Sequence, residues 1–342
     1  MILPFLKKKI LGIDLGSFRI KAVEVKKNNN HIEVINFGII PIINFKEIIS
    51  YSYILEESIS LALKDFLKTI NSKTSTVCLS IQPVYTFSAN FVIPNVPEKD
   101  LTNVIYFESQ KQIPLSLDEV NIEYRYIPIE SREGGNQWMV YVVGTPKNYF
   151  AKLKSILEVN KLKLINAKPE YFNFEPFFLN KTGNYIIIDL GHSYSIICLI
   201  INGKVVYGNK LKLGGYYFLD KIKSITGYSE EEVLDFVAKK GFKFLPEEED
   251  LELITNDFID NILIKQILDE INKIENNFLT QIDKVFWTGG LIFLPGAKEM
   301  IFNKIQKYQH ELLLLSENVT GEKFNNLGNY QSIFIHALGC IF

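Results

Sequence analysis

A chain of 342 residues exceeds one ordinary hydrophobic core and calls for two domains or two lobes. Its 37 basic and 39 acidic residues leave a formal charge of −2, which offers no argument for bulk nucleic-acid binding. The 47% hydrophobic content, rich in β-branched and aromatic residues, marks a globular protein with much sheet, and no run of about 20 apolar residues could span a bilayer. Cys78, Cys198 and Cys340 sit in apolar runs and read as buried free thiols, which suits a reducing cytoplasmic setting. The four histidines, His31, His192, His310 and His336, show no metal-like clustering.

In chain order, the tip Met1–Lys9 carries its lysines after its apolar residues, the reverse of a signal peptide, and reads as a loose terminus. Contact of Leu3, Phe5 and Leu6 with a membrane surface is the open alternative. Leu11–Asp14, Ile20–Lys26 and Ile32–Ile39 predict a three-stranded meander, with Asn28-Asn29-Asn30 as its second turn. Helical periodicity covers part of Ile48–Ile70, and Thr76–Ser80 returns to strand.

From Gln82 to Gly144 the pattern is a strand within Val84–Ile93, a helix capped by Asp100 or its neighbour and running to Lys111, then strands Val120–Ile129 and Gln137–Gly144 about the turn Ser131–Gly135. This is an inserted α+β module of 82–144, a docking surface unless its aromatics serve only its own core. A helix over Pro146–Asn160 and a short strand Leu162–Ile165 close the first domain, 9–81 with 145–181. The aromatic stretch Pro169–Phe178 predicts a helix packed between the halves, and Lys181–Asn184 a polar hinge.

The second domain, 182–342, repeats the plan: strands Tyr185–Asp189, Ser195–Ile201 and Lys204–Lys210, with Asn202-Gly203 as a type I′ turn. Its helical part, about 216–282, begins after Leu213-Gly214-Gly215, breaks at Gly227 and restarts at Ser229 with Glu231 and Glu232. The acidic loop Pro246–Asp250 precedes a long helical pattern, Phe258–Phe278. Strand Lys284–Trp287, the turn Thr288-Gly289-Gly290, a helix after Leu294-Pro295-Gly296 and a closing helix within Ser332–Phe342 complete it.

The chemistry lies in a strand–Asp-x-Gly–strand unit used twice, at Asp14-Leu15-Gly16-Ser17 and at Asp189-Leu190-Gly191-His192-Ser193. Bare backbone at such turns presents N–H groups to anionic oxygens, and each aspartate suits magnesium directly or through water. With Gly214 and Gly289, these residues meet the requirements of a nucleoside triphosphate with its metal. Lys21 either reaches a phosphate or merely edges a strand. The chain has no P-loop GxxxxGK[ST], no GxGxxG and no GxSxG elbow.

The three glycine turns resemble the actin-like ATPases, and the finer pattern resembles the PilM family of type IV pilus assembly. The distinctive stretch is Phe107-Glu108-Ser-Gln110-Lys-Gln-Ile-Pro114-Leu-Ser-Leu-Asp118-Glu119-Val120. Phe174-Glu175-Pro176-Phe177, Thr226-Gly-Tyr-Ser-Glu-Glu-Glu-Val233, Leu294-Pro-Gly296 and Ala337-Leu-Gly339 follow the same family in order. The resemblance implies a bilobal actin-like α/β fold of two ribonuclease-H-like halves with a small α+β insert, binding ATP and Mg2+.

It further implies phosphate or nucleoside contacts at Gly12, Gly16, Ser17, Lys21, Gly191, His192, Ser193, Gly214, Gly215, Gly289 and Gly290, with Lys239 bordering the base. Asp14 and Asp189 would organise the metal, and Glu175 would position the attacking water. The insert and the adjacent first half would bind the N-terminal cytoplasmic peptide of a bitopic PilN-like protein. That places the chain in the cytoplasm, at the inner membrane through its partner and active in twitching motility, with pilus motor ATPases and a homo-oligomer as further partners. Departures stand at Phe18-Arg19, Tyr194 and Tyr216, where small hydroxylated residues or arginine are usual; side chains pointing away leave the backbone cradle intact, and otherwise nucleotide binding is weakened. Apart from these, the resemblance implies slow or switch-like hydrolysis. The alternatives are a non-hydrolysing scaffold of a pilus or type II secretion platform, a small-molecule kinase, or a cell-division relative of the same superfamily.

Overall fold

The structure, a computed structural model, describes residues 8–28, 31–41, 54–70, 72–130, 136–243, 249–315 and 317–342. The N-terminal tip, Asn29-Asn30, 48–53 of the first helical pattern, the turn Ser131–Gly135 and 246–248 of the acidic loop lie outside the described residues. The chain forms two units. Unit 1 runs to Lys181 and takes in Gly203–Tyr207 and Leu314–Phe342; unit 2 holds Thr182–Asn202 and Gly208–Leu313.

Unit 1 is built on a six-stranded sheet in the order β14-β3-β2-β1-β4-β8. Strands β1 (Lys8–Leu15), β2 (Arg19–Asn28) and β3 (His31–Pro41) form the expected antiparallel meander. Helix α1 (Ile54–Thr69) leads to β4 (Thr76–Ile81), which pairs parallel with β1, and β8 (Lys163–Pro169) extends the sheet parallel to β4. Alternation along β1 sends Leu11, Ile13 and Leu15 into a core shared with Leu63 and Phe66 of α1 and with Leu153 and Leu157 of α3 (Lys147–Val159). Gly12 lies on the opposite face, where a Cβ would stand 1.9 Å from the Ala337 carbonyl oxygen. A short closing helix, Ile335–Gly339, can therefore lie directly on the strand.

That contact corrects the expected domain boundary. The stretch Leu314–Phe342 packs in unit 1: β14 (Val319–Thr320) pairs parallel with β3, and Ile335–Gly339 covers β1. Another difference falls at Glu170–Phe177, which is a 3-10 turn series buried almost throughout. Pro176 within it withholds an N–H that an α-helix would need.

The insert is a three-stranded antiparallel sheet, β5-β7-β6, with β5 Phe87–Pro94, β6 Val120–Glu130 and β7 Asn136–Pro146. Helix α2 (Glu98–Gln112) lies on it through Leu101 and Ile105 against Ile93 and Val140, with Tyr124, Tyr126 and Trp138 around them. Asp100 is not the cap. Pro97 holds that position and Asp100 sits in the first turn, where its charge still favours the helix dipole.

The second sheet repeats five of those six strands, in the order β11-β10-β9-β12-β13, with no counterpart of β14 among the described residues. Here β9 is Asn184–Asp189, β10 Ser195–Ile201, β11 Lys204–Leu211, β12 Lys284–Thr288 and β13 His310–Leu312. β9 and β10 are antiparallel, and β12 and β13 follow parallel to β9, as β4 and β8 follow β1. The turn residues Asn202 (φ 48°) and Gly203 (φ 82°) are both left-handed, as a type I′ hairpin requires. Helices α4 (Gly215–Thr226) and α5 (Glu230–Lys240) end and begin as expected, at a left-handed Gly227 and in a capping box of Ser229 with Glu232. The long pattern begins earlier than expected, with α6 (Glu249–Asp257), a π-helical stretch Phe258–Ile264, and α7 (Lys265–Phe278).

His310 on β13 is locked on both ring nitrogens. Nδ1 accepts from Trp287 Nε1 at 3.1 Å, and Nε2 faces the Ile305 carbonyl, which fixes a neutral tautomer. Burial holds its pKa below the ordinary 6.5, against the opposing pull of the Ile305 carbonyl. Because the folded value is depressed, its contribution to stability is intact above the ordinary value and is lost as pH falls below it. His310→Gln should therefore flatten the decline in melting temperature between about pH 7.5 and 5.5. An unchanged slope would show that another group controls it.

Candidate functional site

In unit 1, Asp14 ends β1 and is 1% exposed. It is the in-register partner of Lys21 on β2, and its Oδ2 accepts from Lys21 Nζ at 2.8 Å. Lys21 is thus paired with the aspartate beside the first loop. Asp14 Oδ1, by contrast, is buried with no hydrogen-bond partner. On the parallel side Asp14 faces Ser80 of β4, whose hydroxyl accepts from Asn173 Nδ2 at 2.8 Å. Asn173 Oδ1 is also buried and without a donor. Two acceptors left bare in this way fit water molecules carried by a magnesium ion, which donate hydrogen bonds. The loop beyond is tight, since a Cβ on Gly16 would stand 2.6 Å from the Arg19 carbonyl oxygen. Phe18 lies under its own neighbour, with the Arg19 guanidinium 5.0 Å from its ring.

In unit 2, Asp189 ends β9 in register with Thr288 of β12, so each aspartate has a hydroxyl residue beside it on the parallel strand. Three loops are laced backbone to backbone around Asp189. Gly215 N–H donates to the Gly191 carbonyl at 3.0 Å, Tyr216 N–H to His192 at 2.8 Å, and Leu190 N–H to Thr288 at 2.9 Å. This lacing needs absent side chains: a Cβ on Gly214 would stand 2.2 Å from the His192 carbonyl oxygen. Gly289, at φ 94°, would bring one within 2.3 Å of Asp189 Oδ1, whereas beside Gly290 the space is open. Ser193 follows His192 in the same loop, and the Tyr216 ring meets the His192 ring edge-on at 6.0 Å. Lys239 is set apart on the exposed face of α5, paired with Asp235 at 2.6 Å. Among the described residues no group of three or more His, Cys, Asp or Glu side chains could hold a metal. A magnesium ion there would keep water and phosphate ligands and touch the protein through one or two carboxylates.

Glu175 does not stand as a free base. Its two oxygens take Arg125 Nε at 2.9 and 2.8 Å, and Oε1 also accepts the Val205 N–H at 3.0 Å. Arg125 rests 4.2 Å over the Phe172 ring and donates Nη1 to the Tyr124 carbonyl at 2.9 Å. These contacts tie the Glu175 carboxylate to β6 and to the Val205 backbone. Around the pair, burial raises the Glu123 carboxyl pKa against the pull of Arg125 and Lys168, and burial lowers that of the Lys168 amine. Sequence reasoning missed three polar residues that the sheet brings to Asp14's end. Ser80 meets Asp14 only through strand register, Asn173 bonds Ser80 from the 3-10 segment, and the buried Glu170 follows directly on β8.

A groove of about 320 Å³ opens where the insert joins the first half, lined by Val84, Tyr85, Phe87, Pro146, Tyr149 and Lys152. Tyr85 and Tyr149 stack across it, ring centroids 4.1 Å apart. Burial raises the Tyr149 phenol pKa well above its usual range, so the phenol remains a neutral hydrogen-bonding group.

Residues 12–339 match the model of a family described as type IV pilus assembly protein PilM. Among solved structures, the PilM-PilN type IV pilus biogenesis complex aligns over 98% of this chain and 98% of that one, at 16% identity and a TM-score of 0.76. The ethanolamine utilization protein EutJ from Carboxydothermus hydrogenoformans aligns over 99% and 91%, at 13% identity and 0.57. MreB5 of Spiroplasma citri bound to ADP aligns over 97% and 94%, at 11% identity and 0.51. At such identities these likenesses show the fold, that of the actin-like ATPases.

The two glycines of one turn should separate cleanly. Gly289→Ala forces both a left-handed backbone and a close contact, and should cost about 1–3 kcal/mol in chemical denaturation. Gly290→Ala, in open space and helical backbone, should stay within about 0.5 kcal/mol of the parent. Equal losses would mean that the lacing about Asp189 does not depend on Gly289.

Proposed function

Because the chain belongs to the type IV pilus assembly protein PilM family, we propose that it is a nucleotide-switched docking component of the pilus assembly machinery. It binds one magnesium-bound ATP with the loops at Asp14 and Asp189, and it holds the N-terminal peptide of a PilN-like protein. The observation that carries the nucleotide half is the buried Asp14 Oδ1 without a donor, on a loop whose plan recurs at Asp189. Asp14 and Asp189 would hold the hydrated metal, which when bound neutralises phosphate charge and orients the phosphates. Gly16, Ser17, Gly191 and Ser193 present loop backbone to the phosphates, with Lys21 keeping the site near neutrality. Gly290, open on its outer side, and Gly215 offer room for the nucleoside.

Glu170, buried at the carboxyl edge of the same parallel strands that end at Asp14, is a carboxylate placed to orient water. The bulky Phe18, Tyr194 and Tyr216 in these loops support slow turnover, with ATP as a switch more than as fuel. For the partner, the supporting observation is the groove between insert and first half. Its aromatic walls suit apolar peptide side chains, and Lys152 adds a charged rim. The solved PilM-PilN complex supports a PilN-like occupant. Among the described residues no helix is long and apolar enough to cross a membrane, so the partner would supply the attachment.

Calorimetric titration of metal-stripped protein tests both halves. ATP should bind only with magnesium, and Asp14→Asn should weaken it by about 10- to 100-fold while retaining the fold. A synthetic peptide copying the N-terminal segment of the same organism's PilN should bind the parent and lose affinity in Phe87→Ala. No heat with ATP would remove the nucleotide half, and undiminished peptide binding in Phe87→Ala would remove the groove.

A further inference from the structure

Arg125 is the insert's one described arginine, and its guanidinium reaches from the insert to Glu175 while Nη1 stays on the Tyr124 carbonyl. It lies on β6, stacks on Phe172 and closes on Glu175, both in the 3-10 segment that follows β8. Only about a quarter of the Arg125 side chain and an eighth of that of Glu175 reach solvent, so the pair is far less screened than an ordinary surface bridge (26% and 12% exposed).

Glu175 in turn holds the Val205 N–H, in the strand tip Gly203–Tyr207 that clusters with unit 1. Two further contacts bind that tip to the insert. Asn90 Nδ2 of β5 donates to the Val206 carbonyl at 2.5 Å, and Lys204 Nζ donates to the Tyr126 carbonyl at 3.3 Å. From Val205 the same strand, β11, continues to Leu211 and then directly into Gly214, whose backbone lies against His192 of the second loop. A strand and the three residues after it therefore lead from the Glu175 carboxylate to the glycine that packs on that loop.

We infer that the Arg125–Glu175 pair is the latch through which peptide docking on the insert and nucleotide binding at the loops sense each other. The inference rests on the nucleotide and peptide reading above. Arg125 is a positioning residue here: it touches neither ligand, and it fixes the angle at which the insert meets the 3-10 segment and the tip of β11. A shift of the insert on occupation of the Tyr85–Tyr149 groove would move Glu175, and with it the end of the strand leading to Gly214. Because coupling between two binding sites is reciprocal, the same latch would pass nucleotide occupancy back to the groove.

The test is a coupling measurement on the full chain. The dissociation constant of Mg-ATP is measured with and without a saturating synthetic peptide copying the N-terminal segment of the same organism's PilN. The parent protein should show a ratio of about five-fold or more, the lower end of ordinary couplings. In Arg125→Gln each ligand should bind alone as it does to the parent, and the ratio should fall to one. A merely structural role would weaken the separate affinities and leave the ratio standing. If Arg125→Gln alone does not fold, the double variant Arg125→Gln/Glu175→Gln removes both charges together and carries the same expectation. A parent ratio of one, or a ratio that survives in the variant, overturns the latch and leaves the binding reading intact. Failure of either ligand to bind the parent overturns both.

Discussion

A carboxylate taken out of water with one oxygen paired and the other bare is among the costlier things a small domain can fold around. Asp14 is such a group, and much of unit 1 follows from tolerating it. Its charge is met across the strand pair by Lys21, in register, so the antiparallel meander of β1 and β2 is a condition of the site. The alternation that puts Leu11, Ile13 and Leu15 into the core forces Gly12 to the other face, where the Ala337 carbonyl occupies the space of its missing side chain. One strand thus sets the core, the seat of the closing helix and the position of the buried acid.

Unit 2 copies the frame but not the charge. Where Asp14 faces Lys21, Asp189 faces Ile196, and the parallel neighbours are Ser80 and Thr288. The first loop carries the Lys21–Asp14 pair, and the second carries backbone lacing through Gly191 and Gly214 with Gly289 packed on Asp189. In the proposed function, bare backbone of this kind would serve phosphate oxygens.

Much of this was legible in the amino-acid order wherever short-range patterns decide the structure. The Asn202-Gly203 turn, the Ser229–Glu232 capping box, both meanders and both Asp-x-Gly loops announce themselves within a few residues. The illegible parts depend on partners far along the chain. β13 and β14 are three and two residues long, too short to show a period, and exist through the strands they join. The return of Leu314–Phe342 to unit 1 rests on a bare Gly12 more than 300 positions earlier, as the 314-residue span from Lys27 to the Ile341 carbonyl also shows. Arg125 and Glu175 meet across 50 residues, a pairing that no local pattern announces. Ser80 and Asn173 become site residues only once strand register is known.

The central claim is that the loops of the two units serve one nucleotide. Hydrogen exchange of the full chain, with and without Mg-ATP, addresses it most directly, because it reports residues 12–19 and 187–195 separately in one sample. The account predicts that magnesium with ATP slows exchange in both segments at the same ATP concentration, and that neither component alone does so. Protection confined to one segment, or midpoints that differ between them, would contradict it.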